Sequence, residues 1–173
     1  MRISKSITIG ILATSTLFTM NSCSVATENI EVEQIKQNFV FEDIDEGSNA
    51  AQLDINSSTV FYANEEITAE NIHKATISSI EISKNDSLSF SEIESVTFSV
   101  LGDENSMVSI ALLNPIPEDS KTIKLEFSEE ADIMPYIKEG DFYLILDATF
   151  KTEDYENKKT LSATIKYNVE VTK

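Results

Sequence analysis

Two segments near the end of the chain alternate apolar and polar side chains with a period of two. In the first, Phe142, Leu144, Leu146, Ala148 and Phe150 share one phase, against Asp141, Tyr143, Ile145, Asp147, Thr149 and Lys151 on the other. In the second, Leu161, Ala163, Ile165, Tyr167, Val169 and Val171 alternate with Thr160, Ser162, Thr164, Lys166, Asn168 and Glu170. Successive side chains of a strand point to opposite faces, so each run reads as a long strand with one dry face and one wet face.

Weaker versions of the pattern precede them. Ala75 and Ile77 keep one phase and Ile80 and Ile82 the other, and the slip at Ser78-Ser79 predicts a β-bulge. Asn85-Asp86-Ser87 makes a turn, Leu88, Phe90 and Ile93 pack a corner, and Val96, Phe98 and Val100 form the next strand. Gly102-Asp103-Glu104-Asn105 has turn chemistry, and Val108, Ile110 and Leu112 alternate with Ser109 and Ala111, which predicts a hairpin. Pro115 and Pro117 interrupt the ladder before Ile123, Leu125 and Phe127 resume the alternation. Ile133, Tyr136 and Ile137 lie at i, i+3 and i+4 before Gly140, a short helical turn with its stop.

Further upstream, Asn38 to Glu42 has strand composition and 43–58 reads as a polar stretch. Ser58 to Ala63 reads as another short strand, and Glu65 to Lys74 as mildly helical, with Thr68 as N-cap and Ile72 as its apolar contact. The sum is an all-β chain: an antiparallel β-sandwich of Greek-key type, with about seven to nine strands and one short helical turn.

If consecutive strands alternate in direction, the loops sort onto two ends. Residues 84–95, 114–120 and 152–159 gather at one, carrying Asp86, Glu118, Asp119, Glu153, Asp154 and Glu156. Residues 102–106 and 128–140 gather at the other, carrying Asp103, Glu104, Glu129, Glu130 and Asp132. Acidity is therefore spread rather than focused, although either end offers the oxygen ligands that calcium takes. In Asp43-Ile44-Asp45-Glu46-Gly47-Ser48-Asn49, oxygen ligands recur at alternate positions. The EF-hand pattern needs Gly sixth and Glu twelfth, and counting from Asp43 these are Ser48 and Asp54. The stretch reads as a solvated turn.

Catalytic patterns are scarce. His73 is the sole histidine, no Gly-x-Ser-x-Gly occurs, and the four glycines stand at 10, 47, 102 and 140, too dispersed for a phosphate loop. Carboxylate pairs carry little weight among 30 acids. The sequence assigns no catalytic, cofactor-binding or metal-ligating residue and is read as that of a non-enzyme without cofactors. With no Trp, an aromatic platform for a glycan would draw on Tyr62, Tyr136, Tyr143, Tyr155 or Tyr167.

The first 23 residues have a different character. Arg2 and Lys5 precede the apolar run Ile7, Ile9, Ile11, Leu12, Ala13, Leu17, Phe18 and Met20, diluted by Thr and Ser, which ends in Asn21-Ser22-Cys23. A membrane-spanning helix needs about 20 predominantly apolar residues. This run is shorter and more polar, with the layout of a secretory signal. Met20-Asn21-Ser22-Cys23 resembles the lipobox of bacterial lipoproteins, in the loose form found in Bacteroidota. The resemblance implies a signal peptide over 1–22 and lipidation of Cys23; the polar residues that follow read as a tether, 23–34 with the lipidated Cys, and the alternating strands place the sandwich domain over 35–173. The resemblance also implies export and anchoring to the cell envelope, at the outer membrane, with the periplasmic or surface face left open. Ser24-Val25-Ala26-Thr27 in place of an immediate acidic run leans toward the periplasmic side.

Of the 13 lysines and arginines, Arg2 and Lys5 fall within the first 22 residues, so the remainder carries 11 against 30 acids, a formal −19. That sign is incompatible with a nucleic-acid footprint and opposes adsorption to anionic headgroups. Residues 75–173 are similar in pattern to the small β-rich lipoproteins of the same bacteria. The function read from the sequence is a non-catalytic envelope lipoprotein, structural or protein-binding, with an envelope protein as partner and no nucleic acid. The alternative is a glycan- or calcium-binding module on the same anchor.

Overall fold

The computed structural model describes residues 26–85, 88–127 and 131–173. The signal-like segment, Cys23, Asp86, Glu129 and Glu130 lie outside the described residues. The chain forms β1 (Thr27–Phe41), β2 (Gly47–Asn56), α1 (Ser57–Val60), β3 (Ile72–Lys84), a 3-10 turn (Phe90–Glu92), β4 (Ile93–Gly102), β5 (Val108–Leu113), β6 (Thr122–Lys124), β7 (Glu126–Phe127), α2 (Met134–Glu139), β8 (Asp141–Phe150) and β9 (Lys159–Thr172). One sheet has four strands in the order β1-β9-β3-β6, and the other has five in the order β2-β8-β4-β5-β7.

All pairings are antiparallel, and four of them nest: β1 with β9, β2 with β8, β3 with β6 and β4 with β5. A long hairpin rolled onto itself produces that nesting, and it is the double Greek key of a jelly roll. The all-β Greek-key sandwich expected from the sequence is the fold observed. One side is closed by a single extended segment: β6 pairs with β3 in one sheet, β7 pairs with β5 in the other, and between them the Leu125 amide donates to the Ile80 carbonyl at 3.0 Å.

The two strongly alternating strands, β8 and β9, lie in different sheets and bring their apolar rows to one core. Phe142, Leu144, Leu146 and Ala148 are fully buried, as are Leu161, Ala163, Ile165, Tyr167 and Val169. Aromatic edges lock the sheets together, with ring centroids 6.1 Å apart for Phe39 and Phe98 and 5.5 Å for Phe41 and Phe150. Tyr167 meets Phe61 at 5.0 Å, and its hydroxyl donates to the side-chain oxygen of buried Gln34. Burial pushes the Tyr167 phenol pKa far above its usual range.

Several local expectations hold. The β3–β9 register shifts between Ile77 and Ser79, where the phase slip placed a bulge. β4 and β5 form the hairpin, and α2 buries Tyr136 and Ile137 before stopping at Gly140, whose φ of 96° suits a residue without a side chain. Ser89 begins the corner with a capping box to Glu92.

Others are corrected. The tether read over 23–34 is strand from Thr27 onward. A bulge between Gln34 and Gln37, with Lys36 at φ 55°, breaks the phase that joins Ile30 and Val32 to Phe39 and Phe41. The polar stretch 43–58 contains β2, a sheet-edge strand that buries only Ala51 and Ile55 among its large and small apolar residues. Ser58 to Ala63 is not a strand: the Asn56 side chain accepts from the Ser58 amide at 3.0 Å and starts α1. The helix expected over Glu65–Lys74 shrinks to one turn, because Thr68 and Asn71 bond each other's backbone and β3 begins at Ile72. In β5 a register shift opposite Phe98/Ser99 turns Ala111 inward and leaves Leu112 44% exposed, the reverse of the expected phase.

Candidate functional site

The loops gather at two ends as the alternation of strands requires. At the β1–β2 turn end, Ile44 and the 151–158 loop exchange backbone hydrogen bonds through Asp154, and the Lys151 amide donates to the Glu92 carbonyl at 2.9 Å. Of the acids that the sequence sorts to this end, Glu118 and Asp154 are met by lysines, as are neighbouring Glu42 and Glu92. Lys151 reaches Glu118 at 2.9 Å, Lys158 pairs with Glu42, and buried Lys159 lies 3.1 Å from both Glu92 and Asp154. Lys159 holds the Asp154 carboxyl below its usual pKa, helped by backbone donors from Asn157 and Glu156.

The Asp43–Asn49 stretch is a side-chain-stitched turn. The Asn49 amide donates to the carbonyls of Asp45 and Gly47, and Asn49 Oδ1 accepts from the Asp45 amide. Tyr155 donates to Asp45 at 2.6 Å, and this bond pushes its phenol pKa up to about 12. His73 is exposed on β3. Among the described residues no group of three or more His, Cys, Asp or Glu is placed to hold a metal ion.

At the opposite end, Glu139 of α2 clamps the β4–β5 turn, accepting from the Asp103 amide at 3.0 Å and from the Asn105 side chain. A Cβ on Gly102 would collide with that carboxylate. The clamp floors a cleft of about 520 Å³ lined by Asp103, Glu104, Asn105, Pro135, Lys138, Glu139 and Asp141. Asp103 and Asp141 also line an adjoining hollow of about 340 Å³, together with Asp54, Asn56 and Tyr143. Asp103 and, after burial, Asp54 and Asp141 push the Tyr143 phenol pKa up, so the hydroxyl sits in a negative field.

From this hollow the acidic surface runs onto the outer face of the five-stranded sheet. The registers place Asp54 beside Tyr143 and Tyr143 beside Leu101, then Gln52, Ile145 and Ser99 in the next row. The row after that is Ala50, Asp147, Thr97, Leu112 and Glu126. Leu101, Tyr143 and Ile145 are half-buried, and Leu112 and Met107 are exposed. No strand of this sheet contains a Lys, Arg or His, whereas Asp54, Glu94, Glu126, Asp141 and Asp147 all belong to it. The carboxylates are held by neutral donors: the Ser48 hydroxyl meets Asp147 at 2.7 Å, the Asn56 amide meets Asp141 at 2.6 Å, and the Gln52 amide meets Asp54 at 3.2 Å.

The four-stranded sheet is the opposite. Lys36, Lys74, Lys84, Lys124, Lys159 and Lys166 lie in its strands with Glu28, Glu31, Glu33, Glu81 and Glu170. Lys166 on its outer face lies 3.2 Å from Glu31 and 3.8 Å from Glu33. A hollow of about 310 Å³ there is lined by Asn29, Lys74, Thr76, Asn168 and Glu170.

The alternating phase of β8 already names Asp141, Tyr143, Ile145 and Asp147 as facing water. What it cannot supply is their neighbours, since Asp54, Leu101 and Leu112 join them only through strand order.

No protein-family model matches the sequence, and no curated protein is similar to it. Solved structures similar in strand arrangement include the decameric BFDV capsid protein, with a TM-score of 0.41, 9% identity, and coverage of 84% of this chain and 99% of that one. Cocksfoot mottle virus gives 0.39 and 11%, covering 98% and 96%. Carbohydrate-binding modules from the β-sandwich super family give 0.34 and 11%, covering 78% of this chain and 54% of theirs. At these values no functional argument rests on the likeness.

Proposed function

We propose that the chain is a non-catalytic lipoprotein, exported and anchored to the outer membrane through Cys23, whose jelly-roll domain binds another envelope protein. The observation that carries the reading is the signal-like run ending in Ser22-Cys23, with the chain's one cysteine at the position a lipobox needs. Two or more acyl chains give stable anchoring where one is marginal. The first strand begins four residues after Cys23, a reach of about 14 Å at most. The Ala26 carbonyl accepts from Lys173 and the Asn71 carbonyl from Thr172, so the chain enters the domain at the same end as α2. An anchored domain would therefore keep its acidic cleft close to the membrane.

Cys23→Ala tests the anchor. The account expects the wild-type mature N-terminal peptide to begin at an acylated Cys23, and the variant to lose that modification and leave the membrane fraction. A wild-type protein cleaved at another position, with an unmodified thiol, contradicts it.

A further inference from the structure

We propose that the outer face of the five-stranded sheet is the docking surface for a cationic, partly apolar segment of a partner protein. The proposal rests on the protein-binding part of the reading above and adds the place and the chemistry. Three observations meet on this face. Tyr143, Ile145 and Leu101 form a half-buried band that Leu112 extends into solvent. Asp54, Asp141 and Asp147 flank the band, fixed by amide and hydroxyl donors that orient a carboxylate but leave its charge intact. No basic side chain stands in any of the five strands to answer that charge.

Charge selects the occupant. A nucleic acid, an anionic lipid surface and a second copy of this acidic chain would all bring negative charge to negative charge. A segment with lysines or arginines on either side of an apolar residue meets both features at once. Its apolar residue lies on Ile145 and Leu101, its cations face Asp54, Asp141 and Asp147, and the ring of Tyr143 offers a cation its π face. Carboxylates already oriented by neutral donors lose little side-chain entropy when the cation arrives.

The test uses the full chain as purified, in detergent, and a fluorescent peptide of alternating Lys and Leu. Carbodiimide, which joins carboxylates to amines without a spacer, then marks where the peptide lies. The expected result is saturable binding, crosslinks at Asp54, Asp141 and Asp147, and an affinity about tenfold weaker in Asp54→Asn/Asp147→Asn. Glu31→Gln/Glu33→Gln removes the same charge from the other sheet and is expected to change affinity by less than about twofold. Ile145→Ser, with melting temperature as the folding control, should weaken binding without changing net charge. Equal loss in both charge pairs, crosslinks spread over all acids, or no saturable binding overturns the proposal. An envelope partner that crosslinks only through the four-stranded sheet or the loop ends also overturns it, while leaving the protein-binding reading intact.

Discussion

On the four-stranded sheet Lys166 sits 3.2 Å from Glu31 and 3.8 Å from Glu33, whereas on the five-stranded sheet Asp147 is met by the Ser48 hydroxyl and Asp141 by the Asn56 amide. Both arrangements satisfy the carboxylate's hydrogen bonding, but only the first cancels its charge. Like charges left on one face repel and cost stability. Every lysine that lies in a strand belongs to the four-stranded sheet, and the other described lysines stand in loops and in α2. Strand order therefore separates a self-contained face from one that a cation can complete.

The comparison presumes that the two faces belong to one cooperative body, and the strongest perturbation tests that premise. Phe98 of the five-stranded sheet meets Phe39 of the four-stranded sheet edge to face. Phe98→Ala should cost about 3–5 kcal/mol. Denaturant unfolding monitored by circular dichroism should remain a single transition, and amide exchange should speed up in β9 as well as β8. Protection retained in β9 alone would split the molecule and void the comparison.

A second variant asks what a compensating lysine contributes where it is buried. Lys159→Met leaves Glu92 and Asp154 without their cation, and should lower the melting temperature by about 5 °C near neutral pH. Asp154 has a depressed folded pKa, caused first by Lys159, so its contribution is present above the ordinary carboxylate range and lost as pH falls through the lowered value. Burial pushes the Lys159 pKa down, but the bonds to Glu92 and Asp154 outweigh it and the net direction is up. That contribution is full below the ordinary lysine pKa and is lost as pH rises through the raised value. The wild-type advantage should thus be a plateau across neutral pH that narrows in strong acid and strong base. Melting curves over pH read it directly, and a pH-independent difference would mean that Lys159 acts through packing alone.

Much of this architecture can be read from residues in order. The bulge at Ser78-Ser79 is legible because Ile77 and Ile80 both need the core and cannot share a phase without an extra residue between them. β8 and β9 are legible because burial on one face leaves a strict period of two. β2 is illegible for the converse reason: as an edge strand over the rim of the core it buries Ala51 and Ile55 and exposes Ser48, Ala50, Gln52 and Asp54. The N-terminal half of β1 is hidden by its bulge, and Leu112 by a register shift that depends on its partner strand. The acidic ends could be sorted in advance, yet their pairing with Lys151, Lys158 and Lys159 could not, since it depends on loop geometry. The candidate surface is legible only in fragments, because its rows are assembled from β2, β8, β4 and β5, and local periodicity does not contain the strand order of a jelly roll.

The most direct measurement compares the thermal stability of two neutralised proteins at low ionic strength. Asp54→Asn/Asp147→Asn keeps the acceptors and removes charge that no lysine of the sheet answers, and should raise the melting temperature by about 1–2 °C. Glu31→Gln/Glu33→Gln strips Lys166 of its partners and should lower it by a similar amount, about 1–2 °C. Opposite signs are the signature of one compensated and one uncompensated face. A fall in both, or a fall confined to the five-stranded sheet, would contradict the account.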